Sequence, residues 1–480
     1  MKRKIVSVLM ASVMAAALLA GCGGNSNAPS NSDSAGNEEK SAGEKADSKG
    51  GETVSGDGQT LTIVYNDSND NGDNSPVYQW INQTYENWEK KDEVKLDIQA
   101  LVATDSDYVT KIQTLVQDDS TCPDLFLEDT FQLNTDVAAG YVADITDKVA
   151  GWEDWNSAII EALKQATSGT DGNTYAVPIS TDVRGLWYNK DVFEAAGLGR
   201  EWQPESWQDI LDACAAIKEK CEDDVVPIWF ACNSGEAEAT SMNTFQMLLA
   251  GTGDSLCDDA TGVYNLSSDG VKDSLGFIKT CLDEGYLGTL SEILDPSDYT
   301  YANQYMSTAK LGMYLNGSWG YNDYLQDSGY PMQGYTDETL SDALGFAQMP
   351  TQEKGGYVTM SGGWSWAIAN NSDQKDLSFE FITELMKSDN YITYIEGTGN
   401  LATRNDMMNF DAYSSRMYID EATAMSENAF FRPHDENYSK VSSYLYEMVD
   451  TVIRNNTDTE TALSDFKKGA ATAIGEELIQ

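Results

Sequence analysis

Histidine is almost missing from this chain: His434 is the single one in 480 residues. A hydrolase built on a serine or cysteine nucleophile with a histidine base is therefore disfavoured, and so is a zinc site of the usual spacing. The seven cysteines contain no CxxC pair, which removes the common redox and metal signatures. Basic residues are scarce as well, 30 Lys and Arg against 78 Asp and Glu, for a formal net charge of −48. Phosphate backbones are held by Lys and Arg patches, so nucleic acid is not an expected partner. No internal repeat and no coiled-coil heptad is present, and beyond residue 20 there is no long apolar run.

What remains is the composition of an exported globular protein, 41% apolar and 10% aromatic. Lys2, Arg3 and Lys4 precede an apolar run over residues 5–20 that stops at small residues, the order of a secretory signal. Leu19-Ala20-Gly21-Cys22 resembles the lipobox of bacterial lipoproteins, whose processing leaves the cysteine as the lipidated first residue. Two acyl chains hold a protein stably on a bilayer surface. Residues 23–58 are rich in Gly, Ser, Asn, Glu, Lys and Ala and carry no aromatic residue. Such a segment buries too little to order itself and predicts a tether of ~30 Å reach. Once Cys22 is lipidated, six cysteines are left, whose pairing stays open.

Leu61-Thr-Ile-Val-Tyr65 alternates like a strand, residues 76–90 carry Trp80, Ile81 and Trp88 at near-helical spacing, and residues 94–102 alternate again. Tyr108, Ile112, Leu115 and Val116 share one helical face before the short apolar strand at 124–128. This β-α-β-α-β order predicts a parallel sheet with right-handed crossovers. Ligands of open α/β sheets bind at the carboxyl ends of strands. The polar segment 66–75 and Glu128-Asp129-Thr130 follow two such ends. Farther on, residues 175–184 and 186–189 read as extended, Ser206 opens a helix in capping-box manner, and another helix is expected over 373–387.

Several blocks in order resemble the family 1 extracellular solute-binding proteins, a group that includes sugar-binding lipoproteins. They are Pro123-Asp124-Leu-Phe, Ala139-Gly-Tyr-Val-Ala-Asp-Ile-Thr146, the run from Asp182 to Phe193 with Ala196-Gly-Leu198, Thr244-Phe-Gln-Met, Asn316-Gly-Ser-Trp-Gly320, Ser361-Gly-Gly-Trp-Ser-Trp-Ala-Ile368 and Thr403-Arg404. The resemblance implies a periplasmic-binding-protein-like α/β fold, two α/β lobes joined by a multi-strand hinge with a ligand cleft between them. By it, the chain divides into a signal peptide (1–21), the lipidated cysteine and tether (22–58), a first lobe (59–181 and 361–408) and a second lobe (182–360 and 409–480). Crossings between lobes are expected near 179–183, 358–361 and 403–409. The implied function is capture of a carbohydrate for the permease of an ABC importer, by a monomer anchored through lipid at the outer face of the cytoplasmic membrane. No enzymatic activity, cofactor or metal is expected. The alternatives are a receptor for another solute, such as a cationic one, and an exported glycoside hydrolase.

Sugar recognition needs carboxylates or amides for the hydroxyls and aromatic faces for the ring. By the resemblance, Asp182 and Asp129 stand at acidic sugar contacts, with Glu128 the nearest rival of Asp129, and Trp319 at a stacking position. Trp364, in a glycine-rich turn at the cleft edge, is the other candidate ring. Asn66 and Asp67 follow the first strand and are candidates for ligand contact. Arg184 and Arg404 are candidate donors to hydroxyls or, equally, hinge ion pairs. Trp187, Tyr188 and Trp366 are expected to pack, and Phe431-Arg432-Pro433-His434 to form a surface turn. Residues 67–72 fit the start of a calcium loop, but the twelfth position is Tyr78 where the bidentate glutamate belongs, so a polar binding loop is the better account.

Overall fold

The computed structural model describes residues 59–68, 70–258 and 260–480. The expected signal peptide, Cys22 and the tether lie outside them. The alternating segment at the start becomes β1 (Gln59–Asn66), with Leu61 and Ile63 fully buried. Helix Pro76–Asn87 begins on a proline, whose missing N–H costs nothing at a helix start, and buries Val77, Trp80, Ile81, Thr84 and Tyr85 on one face. β2 (Val94–Leu101), helix Asp105–Val116 and β3 (Leu125–Asp129) follow. The Thr104 side chain accepts from the Asp107 N–H and caps that helix. β1 pairs parallel with both β2 and β3, the arrangement the alternating strand and helix pattern predicts.

β4 (Ala176–Pro178) and β12 (Trp364–Ile368) complete the first sheet, in the order β2-β1-β3-β12-β4. β12 runs antiparallel to β3, with Trp364 opposite Asp129. The second sheet has the order β11-β10-β5-β9-β6, from β5 (Arg184–Asn189), β6 (Val226–Trp229), β9 (Leu311–Gly317), β10 (Leu344–Pro350) and β11 (Tyr357–Val358). A short ribbon, β7 (Cys257–Asp258) with β8 (Val263–Tyr264), stands apart. Every residue of β5 and β9 is buried, as a sheet covered on both faces requires. Helix Trp207–Lys220 is capped by Ser206, and helix Lys375–Leu385 packs Leu377, Phe381, Ile382 and Leu385 inward.

Each sheet owns a hydrophobic core. One gathers Trp80, Phe126, Trp366, Phe381 and Tyr391, the other Trp187, Phe193, Trp229 and Phe245. Two lobes are thereby distinguished. Cys122, Cys214, Cys221, Cys232 and Cys281 are free thiols, three of them buried.

Val183 belongs to the first core and Leu186 to the second, and Met360 belongs to the second and Trp366 to the first, so the chain passes between the cores within 183–186 and again within 360–366. Its third passage is not at 403–409. Tyr413, Ile419, Ala422 and Met425 still belong to the first core, because helices Asp411–Ser414 and Ile419–Ser426 turn their apolar faces to it. The chain leaves only near Phe430, whose N–H donates to the Thr359 carbonyl at 3.1 Å while its own carbonyl accepts from Ser361 at 2.8 Å. Most of residues 409–426 therefore pack with the first lobe, where the resemblance implied the second, while Met417 and Tyr418 reach the second core and Tyr418 donates to the Leu344 carbonyl at 2.7 Å.

The first core rests on Trp80, whose ring stacks on Tyr394 at 4.7 Å and whose indole N–H donates to the Leu385 carbonyl at 2.9 Å. Trp80→Ala is expected to cost about 3–5 kcal/mol by cavity formation, read as a lower denaturation midpoint in urea; a loss under about 1 kcal/mol would show that the core closes over the gap.

Candidate functional site

The carboxyl ends of the first-lobe strands carry three polar side chains into one region. Asn66 closes β1, Asp105 follows β2 and Asp129 closes β3. The Asn66 amide donates to Asp105 at 2.7 Å. Asp105 is exposed to solvent, yet desolvation, reinforced by Asp129 and opposed by the Asn66 bond, raises its pKa to about 6.

The second lobe supplies the facing wall. After β6 the chain presents Glu236 and Glu238, then a π-helical stretch, Thr240–Gln246, of the kind that recurs at functional sites. Glu236 is hydrogen-bonded to Asp298, the first residue of helix Asp298–Ser307, and Trp229 donates its indole N–H to Asp298 at 3.1 Å. Burial raises the pKa of both carboxyls. Asp298 raises Glu236 further, while the bond to Glu236 lowers Asp298, so the pair retains a proton that two free carboxyls would lose. Asp105 also raises Glu236, and that influence crosses the gap between the lobes. Nearby, burial raises Asp323 to about 6 against a bond from Asn303.

The tryptophans lie on opposite lobes. Trp364 is half-buried, held edge-on by Tyr108 at 5.7 Å. Trp319 is half-buried, with the Arg184 guanidinium 5.5 Å from its ring centroid. A Cβ on Gly317 would strike the Trp319 ring, so the glycine of the Asn-Gly-Ser-Trp block makes room for that ring.

Other expected residues are occupied otherwise. Asp182 is buried, pairs with Arg184 and accepts from the Gly362 N–H at 3.0 Å. Arg184 also donates to Asn243 at 2.6 Å and to the Met360 carbonyl at 3.2 Å. Burial lowers its pKa, against the pull of Asp182. Asp67 turns into its own loop, accepting from Gly72 N–H at 2.9 Å and Asn71 at 3.2 Å. Glu128 is buried inside the first lobe, where desolvation, then Asp136 and Asp129, push its pKa well up; its Oε2 has no hydrogen-bond partner among the described residues. Arg404 is buried and held by Asp154 at 2.6 Å, Asp406 at 2.7 Å and the Met386 carbonyl at 2.7 Å. The structure thus brings Asn66, Asp129, Trp319 and Trp364 toward the gap, consumes Asp182 and Arg184 in their own ion pair, and leaves Asp67, Glu128 and Arg404 away from it. Trp187, Tyr188 and Trp366 are packed.

Sequence reasoning missed Asp105, Glu236, Glu238, Asp298, Asp323 and Arg432. The rule that singled out the ends of β1 and β3 applies equally to β2 and to β6, and would have found Asp105 and the two glutamates. The segment expected as a surface turn is no such thing at Arg432. That side chain is buried and donates to Asp129 at 2.9 Å and to Thr130 at 2.8 Å.

The profile described as bacterial extracellular solute-binding protein matches residues 67–391. A putative binding protein of Brucella abortus (strain 2308) is 22% identical over 356 residues, 70% of this chain and 80% of that protein. The melibiose/raffinose/stachyose-binding protein MelE of Bacillus subtilis (strain 168) is 32% identical over 109 residues, 23% of each chain. Among solved structures, an ABC transporter solute-binding protein of Thermotoga lettingae TMO bound with alpha-D-tagatose superposes with a TM-score of 0.72 at 21% identity, covering 88% of this chain and 100% of that one.

The shared proton has a consequence for stability. A folded-state pKa above the ordinary carboxyl value of about 4.3 means that the native chain holds more protons than the unfolded one, so this contribution is fully present below that value and is lost as pH rises toward the raised pKa. Between pH 5 and pH 9 the thermal midpoint of the native chain should therefore fall by roughly 2–4 °C more than that of Glu236→Gln. Parallel pH profiles for the two proteins would remove the proton from the cleft.

Proposed function

Because the chain belongs to the bacterial extracellular solute-binding proteins, we propose that it captures a carbohydrate between its lobes and presents it to the permease of an ABC importer. The observation that carries this reading is the pair of facing walls, each with polar groups for hydroxyls and a half-buried tryptophan. Asn66, Asp105, Asp129 and Trp364 form one; Glu236, Asp298, Asp323, Asn303 and Trp319 form the other. A ligand that touches both walls stabilises the closed form by its differential affinity for it, and closure is the signal a permease reads. No bond of the ligand is made or broken, and the protein is not an enzyme in this reading.

The relatives with sugars in their names favour this ligand class. The lipobox-like residues ending in Cys22 and the Gly- and Ser-rich segment that follows support anchoring by lipid at the outer face of the cytoplasmic membrane. No helix among the described residues is long and apolar enough to cross it. The first lobe in this account comprises 59–181 and 361 to about 428, and the second comprises 182–360 and the remainder.

A basic solute, such as an amino sugar or a polyamine, is the second reading. It is favoured by the proton that Glu236 and Asp298 hold, which an ammonium group can replace.

Thermal unfolding of residues 58–480 against neutral oligosaccharides, amino sugars and polyamines, with products assayed in the same wells, separates the readings. A rise of several degrees with a neutral sugar and no product is expected, since ligand at about 100 times Kd adds roughly 2.7 kcal/mol. A rise only with amines establishes the second reading, and cleavage of a sugar would make the protein a hydrolase. For the ligand that binds, Trp319→Ala should weaken affinity by roughly tenfold, about 1.4 kcal/mol, in isothermal titration. Unchanged affinity would take Trp319 out of the site.

A further inference from the structure

Along one seam the lobes meet directly. Residues 129–135 of the first lobe face residues 432–439, which follow the third passage into the second. Thr135 donates to the Glu436 carbonyl at 3.2 Å and lies 3.1 Å from the Ser439 hydroxyl, and Asn134 lies 3.1 Å from His434 Nδ1. The only charged side chain of this seam buried between carboxylates of both lobes, among the described residues, is Arg432. Its Nη2 serves Asp129 and Thr130 on the first lobe, and its Nη1 lies 3.7 Å from Glu238 on the second. Glu238 is in turn fixed by Tyr438 and Ser442, each donating at 2.5 Å. The guanidinium lies 5.2 Å from the Phe131 ring centroid, so its plane is set by an aromatic neighbour as well as by carboxylates.

We propose that Arg432 is a cross-lobe latch, a positioning residue that holds the lobes together before ligand arrives and so sets the affinity of the cleft. The proposal rests on the interlobe cleft argued above as the binding site. Separating the lobes breaks the charge-assisted bonds from Arg432 to Asp129 and Thr130 while Glu238 stays with it, so the open form keeps only one side of the pairing. Burial alone would lower the arginine's pKa, but Asp129 and Glu238 outweigh it and hold it above the ordinary value, consistent with a cation that both lobes stabilise. The contact joins groups on either side of the hinge, so its effect falls on the open–closed equilibrium and not on the fold of either lobe. Apparent affinity is scaled by the fraction of molecules in the binding-competent form, and weakening the latch lowers that fraction.

The test has one arm without ligand and one with it. In small-angle X-ray scattering, ligand-free Arg432→Gln should show a larger radius of gyration than the native chain, and Thr130→Val, which keeps every charge, a smaller shift in the same direction. Titrated with the ligand identified by thermal shift, Arg432→Gln should bind roughly tenfold more weakly and Thr130→Val about two- to threefold. Circular dichroism establishes folding, and if Arg432→Gln does not fold, Asp129→Asn together with Thr130→Val takes its place in the scattering arm alone, since Asp129 also lines the cleft. An unchanged radius in a folded variant overturns the latch. Tighter binding by Arg432→Gln also overturns it, since Arg432 would then merely occupy Asp129. If no sugar or amine binds the native chain, the ligand reading fails while the scattering arm still decides the latch.

Discussion

The molecule depends on a narrow set of hydrogen bonds where three passages of chain lie side by side. Thr181 exchanges backbone bonds with Leu401, each at 3.0 Å, and its hydroxyl lies 2.7 Å from that of Ser361. Ser361 in turn donates to Phe430. Gly363, at φ +139°, brings its backbone so close to Ser180 that a Cβ would collide with the Ser180 carbonyl, so only glycine serves there. The first passage is tied to its own lobe by Tyr391, whose hydroxyl donates to the Ile179 carbonyl at 2.7 Å and accepts from the Thr403 N–H at 2.9 Å. Each lobe owns a core, so rotation is confined to the few residues between these anchors, the geometry of a hinge.

That hinge sets an electrostatic problem. Closing a cleft lined by carboxyl groups desolvates them, and an unpaired buried charge is expensive. The chain meets the problem in two ways. Between Glu236 and Asp298 a retained proton removes one charge. At Asp182 and Asp129 an arginine from the hinge region supplies the opposite charge, Arg184 for the first and Arg432 for the second. Basic residues number 30 against 78 acidic ones, and these two arginines are spent on buried carboxylates beside the passages between the lobes.

How far the amino-acid sequence reveals this is uneven, for identifiable reasons. Local periodicity is enough for β1 through β3 and their helices, because each apolar face is spelled out within a dozen residues. The strand-end rule finds Asn66 and Asp129. It does not reveal that Asp67 bends back to Gly72 and Asn71, nor that Arg404 is consumed by Asp154, which lies 250 positions away. Arg432 is invisible for the same reason, since its partner Asp129 is 303 positions off. The third passage is misplaced because the two short helices after residue 410 carry apolar faces that fit either core, and only packing decides between them.

Under the proposed function, the positions of the two tryptophans follow from the same economy. A ring that is to meet a ligand must be held still without being covered, because immobilising it at the moment of binding would subtract from affinity. Tyr108 holds Trp364 by its edge and the Arg184 cation holds Trp319. Arg184 is itself immobilised by Asp182, Asn243 and the Met360 carbonyl, so one hinge arginine fixes a ring, neutralises a carboxylate and ties β5 to the second passage. A cleft ordered in this way has little left to rearrange within each lobe, and the motion that remains for a ligand to select is the approach of one wall to the other.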